Sequence, residues 1–92
     1  MRDNECEWED RKAASNLRKH NVSFGLARLV FADPLAIDDV DEDEPEDRWR
    51  RIGIGEGIVL VVIYTMRRER IRIISGRKAS KREQDNYFRQ GA

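Results

Sequence analysis

Arginine side chains near the end of the chain are the residues of this sequence best suited to chemistry. Arg68, Arg70 and Arg72 alternate along a predicted strand, and Arg77 follows them. Because successive side chains of a strand point to opposite faces, the first three share one face and Arg77 lies on the other. A guanidinium group is a planar fork that fits a phosphate and keeps its charge at working pH. The strand therefore presents a phosphate-binding face, or its arginines pair with the acidic loop, or they simply form the exposed face of an amphipathic strand.

The positive charge continues from this strand into the last predicted helix, at Arg77, Lys78, Lys81 and Arg82. Ser80 followed by Glu83 forms a capping box that begins the helix. Backbone N–H groups at a helix N-terminus favour anions. This end of the chain therefore suits a polyanion.

The two halves of the chain carry opposite charge, although the 18 basic and 18 acidic residues balance overall. Residues 1–47 contain 6 basic and 14 acidic side chains, and residues 48–92 contain 12 basic and 4 acidic ones. Nine acidic residues lie between Asp33 and Asp47, and an exposed acidic loop is predicted from Asp41 onward. The asymmetry favours either a basic surface for a polyanion or pairing between the two halves.

Two further side chains could move protons. His20 closes the first predicted helix, where an imidazolium interacts well with the helix dipole, and the functional alternative is that its imidazole transfers a proton in catalysis. Tyr64, on the strand next to the arginines, is either a residue at the edge of the core or a catalytic hydroxyl. The sequence leaves these alternatives open. Trp8 and Trp49 are predicted to anchor the core or an interface, and Cys6 to be a small buried hydrophobe.

Length and composition exclude several classes of protein. The 92 residues, 39% apolar and 39% charged, predict a single domain over 1–92. The longest uncharged apolar run, Ile58–Met66, is too short to cross a membrane, and no stretch resembles a secretory signal, so we expect a cytoplasmic protein without membrane contact. One cysteine and one histidine exclude an internal disulfide and a structural zinc site. No cofactor-binding motif occurs, and we expect neither a cofactor nor a metal.

Hydrophobic periodicity predicts the elements that position these residues. The predicted elements are a short strand over 4–8, a helix over Arg11–His20 capped by Asp10, a helix from the Ser23 cap to Ala32, an alternating stretch from Leu35, strands over Arg48–Ile54, Ile58–Met66 and 71–74, and a helix over Lys81–Gln90. Gly53, Gly55 and Gly57 are interpreted as a hairpin turn. Because strands and helices segregate along the chain, we expect an α+β fold. Its small antiparallel sheet has three to four strands and packs with two N-terminal helices and one C-terminal helix.

Short segments over nearly the whole chain match one known pattern in order and spacing. They are Glu7-Trp8, Lys12 to His20, Val22 to Phe24, Val30-Phe31, Asp33-Pro34, Glu46 to Trp49, Ile52-Gly53, Leu60 to Val62, Tyr64-Thr65, Arg70 to Ser75 and Arg77 to Ala79. Together they resemble the BrnT family, the toxins of type II toxin–antitoxin modules. The resemblance implies a RelE-like fold and a toxin that cleaves RNA without metal and inhibits translation.

The resemblance also implies partners and site residues. A BrnA-type antitoxin would neutralise the toxin, and operator DNA would be bound only through that antitoxin. The reaction would be attack of a 2′-hydroxyl on its neighbouring phosphate. By this resemblance the catalytic residues are Arg72, Arg77, His20 and Tyr64, and the RNA contacts are Lys19, Arg48, Arg70 and Lys78. Since Arg72 and Arg77 face opposite sides of an ideal strand, a bulge or the strand end must bring them to one site.

Two other hypotheses come from different classes. The zero net charge is low for an enzyme that acts on RNA. A non-catalytic or degenerate binding module, which forms an antitoxin complex on operator DNA, is the second hypothesis. The third is a structural protein whose acidic and basic parts pair with each other. Growth arrest on expression is expected of the catalytic toxin alone.

Overall fold

The computed structural model describes residues 5–41 and 47–90, and these residues form an α+β domain. In chain order the elements are β1 (Cys6–Glu7), α1 (Asp10–His20), α2 (Phe24–Ala27), a 3₁₀ helix (Arg28–Ala32), β2 (Ile37–Val40), β3 (Trp49–Gly55), β4 (Ile58–Arg67), β5 (Arg70–Lys78) and α3 (Lys81–Arg89). The predicted α+β class and the final helix are confirmed. Most of the predicted acidic loop lies outside the described residues.

The strands form one five-stranded mixed sheet in the order β1-β5-β4-β3-β2. The prediction of an antiparallel sheet of three to four strands holds for β2 to β5 and is wrong at the β1 edge, where a fifth strand joins. β2 joins as an antiparallel edge strand, and β1 pairs in parallel with β5, with Cys6 opposite Ile71 and Glu7 opposite Arg72. The RelE-like assignment of this fold stays a prediction.

Helix α1 ends as its sequence predicts but begins differently. Asn21 adopts a left-handed conformation with φ of 57° and terminates the helix after His20. Glu9 occupies the N-cap position without a side-chain capping bond, so the prediction that Asp10 caps the helix is wrong. Asp10 lies in the first turn instead, where its charge interacts favourably with the helix dipole.

The second predicted helix begins where predicted, but it changes from an α-helix to a 3₁₀ helix along its length. Ser23 accepts a hydrogen bond from Leu26 N at 3.0 Å, and the α-helical part ends at Ala27, after which the chain continues as the 3₁₀ helix. This segment lies close to β3, where a Cβ on Gly53 or Gly55 would come within 3.0 to 3.3 Å of its atoms. Gly53 and Gly55 therefore lie in β3 and allow close packing, so the prediction that they form the hairpin turn with Gly57 is wrong.

Two tight hairpins connect β3, β4 and β5. Glu56 and Gly57 form the first two-residue turn with φ of 50° and 78°, and Arg68 and Glu69 form the second with φ of 53° and 66°. Two consecutive positive φ angles match the twist of antiparallel strands. Side chains other than glycine rarely adopt them without cost. The second turn is therefore a strained connection.

A hydrophobic cluster covers each face of the sheet. On the face that packs against α1, α2 and the 3₁₀ helix, which we call the α2 face, the buried residues are Cys6, Val22, Phe24, Ala27, Val30, Leu60, Val62 and Ile73. On the opposite, α3 face they are Val59, Val61, Ala79 and Tyr87. Cys6 is a buried small hydrophobe and Trp8 packs edge-on to Phe24, as predicted, whereas Trp49 is 40% exposed.

Of the helices within 5–41 and 47–90, none is long and apolar enough to cross a membrane.

The buried Asn16 and the partly buried Asp33 hold α1 and α3 against the sheet. Asn16 of α1 donates to the carbonyl oxygen of Gly76 at 2.8 Å and accepts from its N–H at 3.1 Å, so its amide replaces a neighbouring strand at the edge of β5. Asp33 accepts hydrogen bonds from Ile54 N at 2.8 Å and from the Tyr87 hydroxyl at 2.5 Å. These bonds outweigh the effect of burial and lower the pKa of Asp33. The orientation of both helices is thereby fixed.

Candidate functional site

A β-bulge in β5 changes the direction in which its later side chains point. The register between β4 and β5 shifts at Ile63 and Tyr64, so that β5 carries Ile74 as an extra residue. An extra residue reverses the alternation for the remainder of the strand. The condition that the sequence sets for Arg72 and Arg77 to share a site, a bulge between them, is met.

The pairing partners in β4 show which face the two arginines share. Arg72 lies opposite Thr65, and Arg77 lies opposite Val61, which belongs to the core of the α3 face. Thr65 and Val61 are four residues apart on β4 and project to the same face, about 13 Å apart along the strand. The side chains of Arg72 and Arg77 therefore both project from the α3 face of the sheet.

Arg72 is held by the carboxylates of Glu7 in β1 and Glu9 at the N-cap of α1. Its Nη1 donates to Glu7 at 2.9 Å, and its other terminal nitrogen lies 3.7 Å from Glu9. Arg70 donates through Nε to the second oxygen of Glu7 at 3.0 Å. The hydrogen bond from Arg72, assisted by Arg70, lowers the pKa of Glu7. Glu7 therefore orients two of the predicted phosphate-binding guanidinium groups and also competes with a phosphate for them.

Arg77 is held by a carboxylate of α3. Both of its terminal nitrogens donate to Glu83 at 2.8 Å in a bidentate pair. Glu83 also completes the predicted capping box with Ser80. The Arg77 bond is the main reason why the pKa of Glu83 falls to about 2. A phosphate that approaches Arg77 must therefore replace or share this carboxylate.

The structure places Tyr64 on the other side of the sheet from Arg72 and Arg77. Its ring packs edge-on to Phe31 of the 3₁₀ helix at 4.9 Å, and its hydroxyl donates to Asp38 at 2.9 Å. Burial and the Asp38 bond raise the pKa of Tyr64 to about 12. The hydroxyl is thus engaged on the α2 face and is not brought together with the two arginines.

His20 and Lys19 lie next to the bulge. Both are exposed at the end of α1 and line a shallow pocket of about 150 Å³ together with Ile74 and Ser75. His20 is therefore adjacent to the segment of β5 that separates Arg72 from Arg77. Tyr64 is not among the residues that line this pocket.

The remaining predicted RNA contacts are distributed around the sheet. Lys78 is exposed at the end of β5 and lies opposite Leu60, on the α2 side of the alternation. Arg48 lines a surface pocket of about 420 Å³ with Trp49 and Thr65, the strand neighbour of Arg72. Arg70 lies on the α3 face beside Arg72, as its bond to Glu7 shows. Arg70, a predicted RNA contact, therefore lies directly beside the predicted catalytic residue Arg72.

The opposite charges of the two halves are partly paired across the sheet. Arg51 makes a bidentate pair with Asp38, at 2.9 and 2.7 Å, and Arg50 pairs with Asp39 at 2.9 Å. The Glu7 pairs add to them. Basic residues of the second half therefore pair with acidic residues of the first half, as one of the two interpretations of the charge asymmetry predicts. The carboxylates that contact the arginines were missed by sequence reasoning, because their positions depend on strand pairing between distant segments.

Among the residues that the structure describes, no group of three or more His, Cys, Asp or Glu side chains is arranged to hold a metal ion. The charged groups of the candidate site are instead the guanidinium groups of Arg70, Arg72 and Arg77 with their carboxylate partners. These guanidinium groups can bind a phosphodiester or stabilise negative charge that develops on it.

A comparison with protein families defines the class to which this arrangement belongs. The family model described as "Ribonuclease toxin, BrnT, of type II toxin-antitoxin system" matches residues 8–83. The class is therefore that of ribonuclease toxins from type II toxin–antitoxin systems, whose substrate is RNA and whose partner is an antitoxin. The chain belongs to the BrnT family. A comparison with curated proteins found no match.

Proposed function

We propose that this chain is a metal-independent endoribonuclease toxin that inhibits translation by cleaving RNA. Arg72 and Arg77 contact the scissile phosphate, and Arg70 contacts the RNA backbone beside them. The observation that carries the proposal is the bulge at Ile74, which gives Arg72 and Arg77 a common face. Family membership supplies the reaction class, and the arginines supply positive charge at the site.

The proposed reaction is an intramolecular transesterification of the RNA phosphodiester. The 2′-oxygen attacks the neighbouring phosphorus and loses its proton, while the bond to the 5′-oxygen breaks and that oxygen gains a proton. The products are a 2′,3′-cyclic phosphate and a 5′-hydroxyl. Arg72 and Arg77 stabilise the negative charge on the phosphoryl oxygens in the transition state. His20 is the candidate for proton transfer, because it lines a pocket with Ile74 and Ser75 at the bulge and an imidazole can both donate and accept a proton.

Partner binding extends the proposal. A BrnA-type antitoxin neutralises the toxin, and the complex contacts operator DNA through the antitoxin. We also propose that the fold is RelE-like and that RNA binds to the basic face of the sheet. Lys19, Arg48 and Lys78 are outer phosphate contacts, since each is at least partly exposed at an end of the sheet or of α1.

One observation favours a second candidate function. Arg70, Arg72 and Arg77 all engage carboxylates of this chain, and Tyr64 lies on the opposite face. A degenerate member that binds its antitoxin without cleaving RNA would show the same pairing. The catalytic proposal requires RNA to compete with Glu7 and Glu83, which the cleavage assay tests directly.

The test is cleavage of single-stranded RNA by the purified protein in the presence of EDTA. We expect cleavage by the wild type and a loss of about 100-fold in the Arg72→Ala or Arg77→Ala variant. Arg89→Ala, in the last turn of α3, removes the same charge and serves as the matched control. Equal cleavage by all variants would refute the assigned site. Absence of cleavage by the folded wild type would favour the binding module.

A further inference from the structure

A groove on the α3 face lies beside the proposed phosphate site. It has a volume of about 510 Å³, within the range of pockets that hold small ligands. Strands β2 and β3 contribute Ile37, Ile52 and Arg50 to its lining, and α3 contributes Arg82 and Asn86. Neither the family description nor the phosphate site assigns a role to this groove.

Strand pairing puts the groove within one nucleotide of Arg77. Ile52 lies opposite Val61, and Val61 lies opposite Arg77, so the three residues form one row across β3, β4 and β5. Neighbouring strands are about 4.8 Å apart, so the Cα atoms of Ile52 and Arg77 are about 10 Å apart. Glu83 both lines the groove and binds Arg77. A phosphate on Arg77 therefore places the adjoining sugar and base at the groove.

The lining has the chemistry that recognises a nucleobase. Ile37 and Ile52 give an apolar surface against which a base can pack, and the planar guanidinium groups of Arg50 and Arg82 can stack on it. The Asn86 side chain offers both a donor and an acceptor to a base edge. Arg50 is already oriented by its 2.9 Å pair with Asp39. Backbone phosphate binding alone would need no apolar surface.

We propose that this groove is a nucleobase subsite for the RNA nucleotide next to the scissile phosphate. The inference rests on the proposed ribonuclease function and adds a source of sequence preference to it. One base enters between α3 and the β2–β3 strands while its phosphate is held at Arg77.

The test is an NMR titration of the full chain with the four nucleoside 3′-monophosphates. Inorganic phosphate and ribose 5-phosphate are the controls for charge and sugar. We expect at least one nucleotide to shift the methyl signals of Ile37 and Ile52 and the side-chain amide of Asn86, while the two controls do not. Arg82→Ala and Asn86→Ala should each weaken nucleotide binding about fivefold to tenfold, and Arg89→Ala should leave it within about twofold.

The proposal is overturned if nucleotides and inorganic phosphate give the same shifts, or if the groove variants bind nucleotides like the wild type. RNA cleavage by the wild type, measured in parallel, separates this failure from failure of the proposed function. Cleavage without base-dependent binding rejects the groove and retains the ribonuclease. Base-dependent binding without cleavage retains the groove as a nucleobase site and rejects the ribonuclease.

Discussion

Glu83→Gln separates the two roles of Glu83. Glutamine preserves the capping box with Ser80, because either side chain can accept the N-cap N–H bond, but it removes the negative charge from Arg77. Both terminal nitrogens of Arg77, now 2.8 Å from the carboxylate, become more available to a phosphate. We expect the variant to fold and to bind RNA more tightly than the wild type.

The pKa of Glu83 gives the scale of this effect. Bonding to Arg77 is the largest cause that lowers it from 4.5 to about 2, a change equivalent to about 3 kcal/mol. The Arg77 side chain is 42% exposed, and solvent screening reduces the value to about 1 kcal/mol. Glu83→Gln should therefore lower the free energy of unfolding at pH 7 by about 1 kcal/mol and lower the Kd for RNA about fivefold at low salt.

The pH dependence has a definite sign. The pKa of Glu83 is lower in the folded state, so the pair stabilises the protein above pH 4.5, and this stabilisation is lost as the pH falls toward 2. Urea denaturation across this range should show a smaller acid loss in Glu83→Gln than in the wild type. RNA affinity is measured by fluorescence anisotropy with a 2′-O-methyl RNA, which cannot be cleaved.

The matched control is Asp85→Asn on the same helix. Asp85 is half exposed and lies 3.4 Å from Lys81, and its neutralisation changes the net charge by the same amount. We expect it to change the RNA affinity less than Glu83→Gln does. Equal affinities for the two variants, or weaker binding by Glu83→Gln than by the wild type, would refute competition between Glu83 and phosphate at Arg77.

Three further predictions concern stability and the role of Tyr64. Asn16→Ala should lower the free energy of unfolding by about 3 kcal/mol, because it leaves the edge of β5 unsatisfied; a loss below about 1 kcal/mol in urea denaturation would contradict this role. Arg68→Asn combined with Glu69→Gly should raise the free energy of unfolding by about 1 to 2 kcal/mol, since both positions have positive φ. An unchanged denaturation midpoint would argue against strain in this turn. Tyr64→Phe should lower stability by about 1 kcal/mol and leave RNA cleavage within about threefold of the wild type, whereas a loss of about 100-fold would make Tyr64 catalytic.

Elements with local signals could be predicted from the sequence. Asn21 ends α1, Ser23 caps α2, and the capping box of Ser80 and Glu83 begins α3, all as the sequence indicates. Each of these signals acts within a few residues. The parallel pairing of β1 with β5 joins two residues to a strand more than sixty positions away, and no local pattern encodes it.

The candidate site was predictable in its residue types but not in its geometry. The family resemblance proposed Arg72 and Arg77 as catalytic residues, and strand alternation showed that a bulge or the strand end must bring them to one site. Its position at Ile74 emerges only from the register with β4. Likewise, the sequence showed Glu83 as a capping residue, while its second role as the partner of Arg77 depends on how α3 packs.

The most direct test of the central claim is induced expression of the wild type beside the Arg72→Ala, Arg77→Ala double variant, with growth and total RNA integrity followed together. The account predicts growth arrest and RNA loss in the wild type and neither in the double variant, with both proteins folded and at equal levels. Growth arrest with RNA loss in both would contradict the assigned site. Normal growth and intact RNA with a folded wild type would contradict the ribonuclease function itself.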